Sequence, residues 1–514
     1  MTHWDALSHV CGKTPYLDDL PFPANGLHVV PFDSPVAHGH VRALDIGAAL
    51  AVPGVVAILT ARDIPGENQI GGIIPDEPLL ADHTVEFRGQ PLALVVAESN
   101  AAATKAAGLI QAEIEALPVC TDPREAAARG DIIGRVRTFE MGDVSAGFAS
   151  AKHVFSGRAE VGGQEHLYLE TQATMAFPTM HDGVRIISST QGPTAVQRTT
   201  ARVLGLPMHA IEVEVTRLGG GFGGKEDQAT PWAVMVALVA HRFKRPAKLV
   251  LDRLRDLRMT GKRHPYQADY QIGLDADLNI VAYQATFFQN AGAHADLSPA
   301  VLERTLFHCT NAYRVPNVKA VAMSCKTHVP PNTAFRGFGG PQGMFVMESA
   351  LCHAAESLGI PTWQLQKKNL LRDGDVFAYG QTVSESQAQT CWDRLESDFQ
   401  LAERWQQVEQ HNQTSNRFKR GLAVMPICFG ISFTKTHMNQ GSALLHIYTD
   451  GSVLVSTGAV EMGQGVVSKL RAVAASALGV PAERVKIEYT NTTRNANTSP
   501  SAASATADLN GKAL

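Results

Sequence analysis

The sequence predicts a mixed α/β protein of the α+β class with more than one domain. Its 514 residues correspond to roughly two to four domains of ordinary size. Hydrophobic residues make up 45% of the chain and charged residues 18%, which provides enough apolar material for large cores and excludes a disordered chain. Runs typical of buried strands occur together with apolar helical segments, which favours a mixed architecture.

Charge and hydropathy exclude two classes of partner. The chain carries 45 Lys and Arg against 49 Asp and Glu, a net charge of −4, whereas a dedicated nucleic-acid binder has a basic surface. No run of about 18 apolar residues lacks charge, so no membrane span is predicted. His, Asp and Lys within residues 1–20 occupy the place where a signal peptide needs an apolar stretch. We therefore expect a cytoplasmic protein without nucleic-acid or membrane partners.

The cysteines argue against a metal cluster held by this chain. The 7 cysteines are scattered and never form a C-x-x-C pair. Structural zinc and iron–sulfur clusters require closely spaced thiolates, so neither is predicted here.

The first 130 residues have the pattern of a small α/β unit. Residues 54–60 and 91–97 are apolar runs typical of buried strands, and an alanine-rich helix is predicted from 100 to about 116. The polar stretch 121–130 indicates a domain boundary.

The next informative segment is a glycine-rich loop between a strand and a helix. Residues 211–215 alternate as a strand does, 218–227 contain five glycines, and 232–243 predict an apolar helix. A strand, a glycine loop and a helix commonly form a phosphate site, because helix N-termini present free N–H groups to anions. The alternative is a tight turn without a ligand. Such a dense glycine loop would then carry a large entropy cost on folding.

Two familiar nucleotide motifs almost match this loop. Gly219, Gly224 and Lys225 fit a Walker A motif, but Glu226 stands where Ser or Thr must hold magnesium. The dinucleotide fingerprint also matches, yet its acidic partner should follow after about twenty residues and Asp252 comes too late. Both nucleotide interpretations are therefore disfavoured.

The C-terminal third has clear turn signals. Asp450-Gly451 predicts a hairpin between residues 444–449 and 452–456, and 412–419 is a polar linker. Ser499-Pro500 predicts the start of a helix through Ala502, Ala503 and Ala505, and the chain stops at Leu514, in or just past that helix. A segment of this kind normally continues into a further domain, so we expect a truncated chain.

Three motifs together identify a family. They lie at 218–226 (LGGGFGGKE), 334–342 (AFRGFGGPQ) and 461–465 (EMGQG), in that order. The chain resembles the molybdenum-binding part of the xanthine dehydrogenase and aldehyde oxidase family. This resemblance implies an α/β-hammerhead domain over 1–125 and a molybdopterin-binding domain over 135–514 whose C-terminal part is absent.

The resemblance also implies an activity. Hypoxanthine would be oxidised to xanthine and xanthine to urate at a molybdenum–molybdopterin cofactor, with water as the oxygen donor. Because this chain lacks cluster cysteines and the length for a flavin domain, [2Fe-2S] clusters and FAD are expected on a partner chain that passes electrons to NAD. The assembly would be a hetero-oligomer of paired halves.

Carried over residue by residue, the family pattern assigns cofactor contacts. Gln191 would donate to an oxygen on molybdenum, Phe222 and Gly223 would bring backbone close to the metal, and Arg336 would lie beside it. The pterin and its phosphate would be held by Gly463, Gln464, Gly465, Ala502, Ala503 and Ser504. The expected molybdenum environment consists of Gln191, Phe222, Arg336 and Ala503.

Five residues would select the substrate. Phe338 and Phe433 would sandwich a flat ring by face and edge, and Thr434 would add a hydroxyl contact. Glu226 and Arg304 would hydrogen-bond opposite edges of the ring, which favours a purine over an aldehyde. Taken singly, Arg304 could be a helix-face charge and the two phenylalanines could be core residues.

One family feature is missing from this sequence. The general-base glutamate of the family would lie beyond Leu514, so no catalytic residue is assigned and the chain alone is expected to be inactive. The alternatives left open are an oxidase of aldehydes or other N-heterocycles, and a non-catalytic fragment. A phosphate-loop nucleotidase ranks third, because Glu226 replaces its Ser or Thr.

Overall fold

The computed structural model describes residues 3–514. Its strands are β1 Leu27–Asp33, β2 Gly39–Asp45, β3 Val55–Leu59, β4 Thr84–Val85, β5 Pro91–Ala97, β6 Gln111–Ala116, β7 Ile132–Met141, β8 His153–Val161, β9 Ala173–Pro178, β10 Val184–Ser188, β11 Ile211–Val215, β12 Ala247–Val250, β13 Tyr266–Leu274, β14 Ile280–Gly292, β15 Val318–Lys326, β16 Ala443–Ile447, β17 Val453–Thr457, β18 Val485–Ile487 and β19 Thr490–Asn491.

The α-helices are distributed along the whole chain. They are α1 Ala6–Val10, α2 Gly47–Leu50, α3 Asn100–Ala107, α4 Pro123–Arg129, α5 Val144–Ser150, α6 Pro193–Leu204, α7 Thr230–Phe243, α8 Arg253–Met259, α9 Ser298–Phe307, α10 Gly340–Leu358, α11 Thr362–Lys368, α12 Ala388–Asp398, α13 Leu401–Thr414, α14 Val466–Leu478 and α15 Thr506–Ala513. In the described part of the chain, no helix is both long and apolar enough to span a bilayer.

Four sheets organise these elements. The largest has the order β19-β11-β10-β9-β12-β1-β5-β3, and thus joins N-terminal strands to strands from much later in the chain. A five-stranded sheet has the order β7-β15-β14-β13-β8, and two three-stranded sheets have the orders β16-β17-β18 and β4-β2-β6. The mixed α/β class predicted from the sequence is confirmed.

Helix α7 explains how the largest sheet is covered. Every residue from Trp232 to Ala240 is buried, as expected of a helix that is apolar on all sides and lies in a protein interior. It packs in one core with α6 and with strands β1, β9, β10, β11 and β12. The apolar helix predicted at 232–243 is therefore present, and it begins two residues earlier, at Thr230.

Several local predictions need correction. The helix predicted from 100 to about 116 ends at Ala107, and 111–116 form strand β6, which pairs with β2. The polar stretch 121–130 contains helix α4, started by the Asp122 side chain and ended by Gly130 at a φ of 81°. At 111–116 the pairing with a distant strand overrides the local pattern. Helix α4 instead begins and ends on local signals, and the domain boundary predicted at 121–130 stays a prediction.

The C-terminal turns also differ in detail. Strands β16 and β17 form the predicted hairpin, with Ile447 opposite Val453. The Tyr448 N–H donates to the Ser452 carbonyl, so the loop is longer than two residues. The helix predicted from Ser499-Pro500 is wrong, because Ala503 and Ser504 adopt left-handed backbone and α15 begins only at Thr506.

Candidate molybdopterin site

Five loops, each between a strand and a helix, build the candidate site. The loops follow β10, β11, β15, β17 and β19 and precede α6, α7, α10, α14 and α15, respectively. Strands β10 and β11 are parallel neighbours, so Gln191 and the first glycine loop leave the sheet at the same edge. The carboxyl ends of parallel strands are the usual place for ligands in such sheets.

Gln191 joins three of these loops. Its Oε1 accepts the Gly223 N–H at 2.9 Å, and its Nε2 donates to the Ser501 carbonyl at 2.9 Å. The two main chains also bond directly, since the Ser501 N–H donates to the Gln191 carbonyl at 2.9 Å. Because Oε1 accepts a backbone N–H, the amide orientation is determined, and one Nε2 hydrogen remains for a ligand. The predicted donor role stays a prediction that this geometry permits.

The two Gly-Phe-Gly-Gly loops contact each other and share an unusual backbone. Phe222 and Phe338 have φ values of 56° and 50°, each followed by a glycine with φ above 90°. The Arg336 N–H donates to the Phe222 carbonyl at 2.8 Å, which fixes one loop against the other. Left-handed backbone at a phenylalanine is costly and tends to mark functional sites.

The turn at Ala502 to Ser504 is strained in the same way. Ala503 and Ser504 have φ values of 56° and 54°, and neither N–H group donates to any residue of the described chain. The Ala503 carbonyl accepts the Ser432 N–H at 2.8 Å. Two unused N–H donors beside Gln191 suit a ligand that carries acceptor oxygens.

The Gly463-Gln464-Gly465 turn satisfies most of its own polar groups. The Gln464 amide accepts the Met462 N–H at 2.7 Å and donates to the Val460 carbonyl at 2.9 Å. The N–H groups of Gly463 and Gly465 donate to the Glu461 carboxylate. In this structure Gln464 therefore shapes the turn, and its predicted pterin contact stays a prediction.

Glu226 is a buried carboxyl without an internal partner. It is 4% exposed, and its carboxyl forms no hydrogen bond with residues 3–514. Burial, together with the negative charges of Asp227 and Asp296, raises its pKa well above the ordinary value. Neither carboxyl oxygen is among the water-excluded atoms of the described residues that lack a partner, so the carboxyl faces space that a ligand can occupy. The edge-binding role that the family resemblance implies for Glu226 stays a prediction that this geometry permits.

Arg304 already has partners in the protein. It lies on α9, is 6% exposed, and donates to the carbonyls of Gly430, at 2.6 Å, and Ser432. Its Nε is buried without a partner among the described residues. A substrate contact would require the 430–432 segment to release part of the guanidinium. The predicted pairing with Glu226 at opposite substrate edges thus stays a prediction.

The two aromatic positions and Thr434 are held by their neighbours. Phe338 packs half-buried against Leu297, Val301 and Ala334. The backbone of Phe433 is bracketed by Asn439, which accepts its N–H at 2.9 Å and donates to its carbonyl at 3.0 Å. Thr434 donates to the Glu303 carboxylate at 3.2 Å. The substrate roles of these three residues stay predictions.

Sequence reasoning missed the residues that support the loops. Lys225, fully buried, pairs with Glu170 at 2.9 Å, and the Glu170 carboxylate also accepts the Gly219 N–H at 2.9 Å. The Ser501 hydroxyl accepts the Val460 N–H at 2.8 Å. Phe429 packs on His308 with ring centroids 4.9 Å apart. Only Lys225 lies in a recognised motif, and the others have no local signal.

Comparison with known families identifies the domains of this chain. Family models described as the molybdopterin cofactor-binding domain match residues 127–370 and 394–514. The model described as the aldehyde oxidase and xanthine dehydrogenase a/b hammerhead domain matches residues 11–118. These matches define a protein that binds the molybdopterin cofactor. The chain belongs to the aldehyde oxidase and xanthine dehydrogenase family.

Individual relatives are similar over the whole chain. It is 41% identical to xanthine dehydrogenase/oxidase of Mus musculus and 41% identical to xanthine dehydrogenase of Emericella nidulans, in each case over 100% of this chain and 38% of the relative. The aldehyde oxidoreductase structure from Desulfovibrio gigas superimposes with a TM-score of 0.87 at 26% identity, over 98% of this chain and 57% of that one. The chain thus spans less than half the length of the two xanthine dehydrogenase relatives.

The residues present fit the molybdenum cofactor. The loops supply unused N–H donors at Ala503 and Ser504, an amide at Gln191, and backbone that a Cβ would obstruct at Gly221, where it would lie 2.6 Å from Gln191 Oε1. Neutral donors of this kind suit oxo and phosphate oxygens. The hammerhead and cofactor-binding domains are therefore both present. We propose that the hammerhead domain ends at residue 125 and that the cofactor-binding domain begins at residue 135.

Proposed function

We propose that this chain forms the cofactor- and substrate-binding part of an enzyme that hydroxylates purines, converting hypoxanthine to xanthine and xanthine to urate. The observation that carries this proposal is the buried, unpartnered carboxyl of Glu226 beside the glycine loop. Relatives named xanthine dehydrogenase at about 40% identity support the choice of substrate class. The bound molybdenum cofactor would supply the redox centre for oxidation of a ring C–H bond, with water as the oxygen source.

The chain's own residues would position both reactants. Gln191 would donate its remaining amide hydrogen to an oxygen of the cofactor, and Ala503 and Ser504 would donate their N–H groups. Glu226, whose pKa is raised by burial, would in its protonated form present an O–H donor and a carbonyl acceptor to one edge of the ring. Arg304 would donate to the opposite edge and stabilise negative charge that develops there.

The remaining steps belong to other parts of the assembly. We propose that electrons leave through [2Fe-2S] clusters and FAD on a partner to NAD, in a hetero-oligomer of paired halves in the cytoplasm. An oxidase of aldehydes or other N-heterocycles is the second candidate, since the D. gigas structure that this chain resembles is an aldehyde oxidoreductase. The carboxyl of Glu226 favours the purine.

Glu226→Gln is expected to leave the protein at least as stable as the parent. Because the folded pKa of Glu226 lies above the ordinary 4.5, the folded state binds the proton more tightly than the unfolded state. Burial of this ionisable carboxyl therefore costs stability above about pH 4.5, and the amide removes that cost, with a slope of up to about 1.4 kcal/mol per pH unit. Unfolding of the full-length protein with its partners, followed from pH 4 to 8, measures the difference.

Substrate selectivity tests the assignment directly. In the same preparation, Glu226→Leu, which removes both the donor and the acceptor at similar volume, should lose xanthine oxidation by about tenfold or more, the effect of one transition-state donor. E226Q keeps an N–H donor and a carbonyl acceptor and should retain more activity than E226L. Glu98→Gln, at an exposed carboxylate, is the matched control and should behave as the parent. If E226L retains full xanthine oxidation, the purine assignment is wrong. If the parent oxidises aldehydes and not xanthine, the second candidate replaces it.

A further inference from the structure

The Glu461 side chain, in the third motif, caps the N-terminus of helix α14. It is 8% exposed, and its carboxylate accepts the N–H groups of Gly463 at 2.9 Å, Gly465 at 3.1 Å and Val467 at 3.0 Å. Helix α14 begins directly after Gly465, which has no side chain to cap it. Glu461 therefore satisfies N–H groups that the start of a helix leaves open. It also determines the shape of the 463–465 turn.

Glu461 is tied to the first glycine loop in two ways. Its main-chain carbonyl accepts the Leu218 N–H at 3.0 Å. Arg217, the preceding residue, places Nη1 at 3.8 Å from the Glu461 carboxylate. The side chains of Arg217 and Glu461 are only 13% and 9% exposed, so this contact is weakly screened by water. The two glycine-rich loops are thus held at a defined spacing.

Residues 3–5, which precede α1, pack against Arg217 and the start of α14. Arg217 Nη1 also contacts the Asp5 carboxylate, whose side chain is 8% exposed. The Trp4 N–H donates to the Ser468 hydroxyl at 3.2 Å, within the first turn of α14. His3 lies against Gly465, where a Cβ would come within 2.6 Å of its ring. The segment before α1 therefore packs on Gly465 and on the start of α14, while Gly463 and Gln464 remain exposed.

We propose that Asp5, Arg217 and Glu461 form a positioning network that holds the 463–465 turn and the first glycine loop in register for the molybdopterin. In this proposal the three residues act through the backbone of the two loops. Arg217 is suited to this because a guanidinium can serve two carboxylates at once. The inference rests on the proposed cofactor contacts of these loops.

Molybdenum content tests the network without relying on activity. The full-length protein is produced with its natural partners in its own host, and molybdenum per chain is measured on the folded fraction after size exclusion, together with released pterin. Glu461→Gln and Arg217→Met should each lower molybdenum content by about tenfold, the scale of losing a supporting contact around a metal site. Arg217→Lys keeps the charge and should recover part of the loss. Asp5→Asn, which breaks only the outer contact, should lower it less.

Arg185→Met is the matched control. Arg185 also serves two carboxylates, Glu214 at 2.9 Å and Glu212 at 3.6 Å, on strand β11 rather than at the loops. Its variant should keep the parental molybdenum content. Parental content in E461Q and R217M, or an equal loss in R185M, would overturn the network. Ala503→Val then separates the two proposals: if it also keeps its molybdenum, the assignment of the cofactor contacts has failed as well.

Discussion

Replacing Gly223 by alanine is expected to destabilise the protein by about 3 kcal/mol and to abolish retention of the molybdenum cofactor. The φ of Gly223 is +99°, where a side chain costs about 1–2 kcal/mol. A Cβ there would lie 2.7 Å from the Ala334 carbonyl oxygen, and overlap with backbone costs a further ~1–3 kcal/mol. Because Gly223 also donates to Gln191, relief of the clash would displace the amide that joins the loops.

Gly374→Ala separates the two causes. Gly374 has a similar φ of +89°, but no atom lies within 4 Å of the position that a Cβ would take there. This variant should therefore lose only about 1–2 kcal/mol and keep its molybdenum. Thermal unfolding and elemental analysis of both variants make the comparison. Equal losses in G223A and G374A would show that the close approach to Ala334 is unimportant.

Breaking the buried ion pair beneath the glycine loop should have an effect of similar size. Lys225→Met is expected to cost about 3–5 kcal/mol, because it leaves the Glu170 carboxylate buried without its cation. Methionine preserves the length of the side chain and removes the ammonium, which also lies over the Tyr168 ring with Nζ 4.8 Å from the centroid. The expected loss is therefore electrostatic and not a loss of packing. Denaturant unfolding of the variant measures it.

Two further variants test that interpretation. Lys244→Met breaks an exposed pair with Asp182, whose side chains are 53% and 69% exposed, and should cost less than about 1 kcal/mol. The double variant K225M/E170Q removes both buried charges, while glutamine keeps an oxygen for the Gly219 or Leu17 N–H. It should be more stable than K225M alone. A double variant that is less stable would contradict the argument.

Local patterns in the sequence determined a large part of this fold. The alternation at 211–215, the glycine loop and the apolar run at 232–243 predicted a strand, a loop and a helix, and all three are present. Each signal lies within one element, where periodicity and turn chemistry act over a few residues. The three motifs likewise indicated the cofactor class, because their order is a property of the chain itself.

The predictions that failed depended on distant partners. Residues 111–116 leave the predicted helix because they pair with β2, and 499–505 avoid a helix because the Ser501 backbone bonds to Gln191, 310 residues away. Similarly, no local pattern shows that Arg304 donates to the carbonyls of Gly430 and Ser432. Buried donors and acceptors must be paired within the protein, and the groups that lie within reach of one another depend on how distant segments pack. The sequence by itself therefore determined the elements and the kind of cofactor, and only the tertiary structure decided which side chains remain available to bind it.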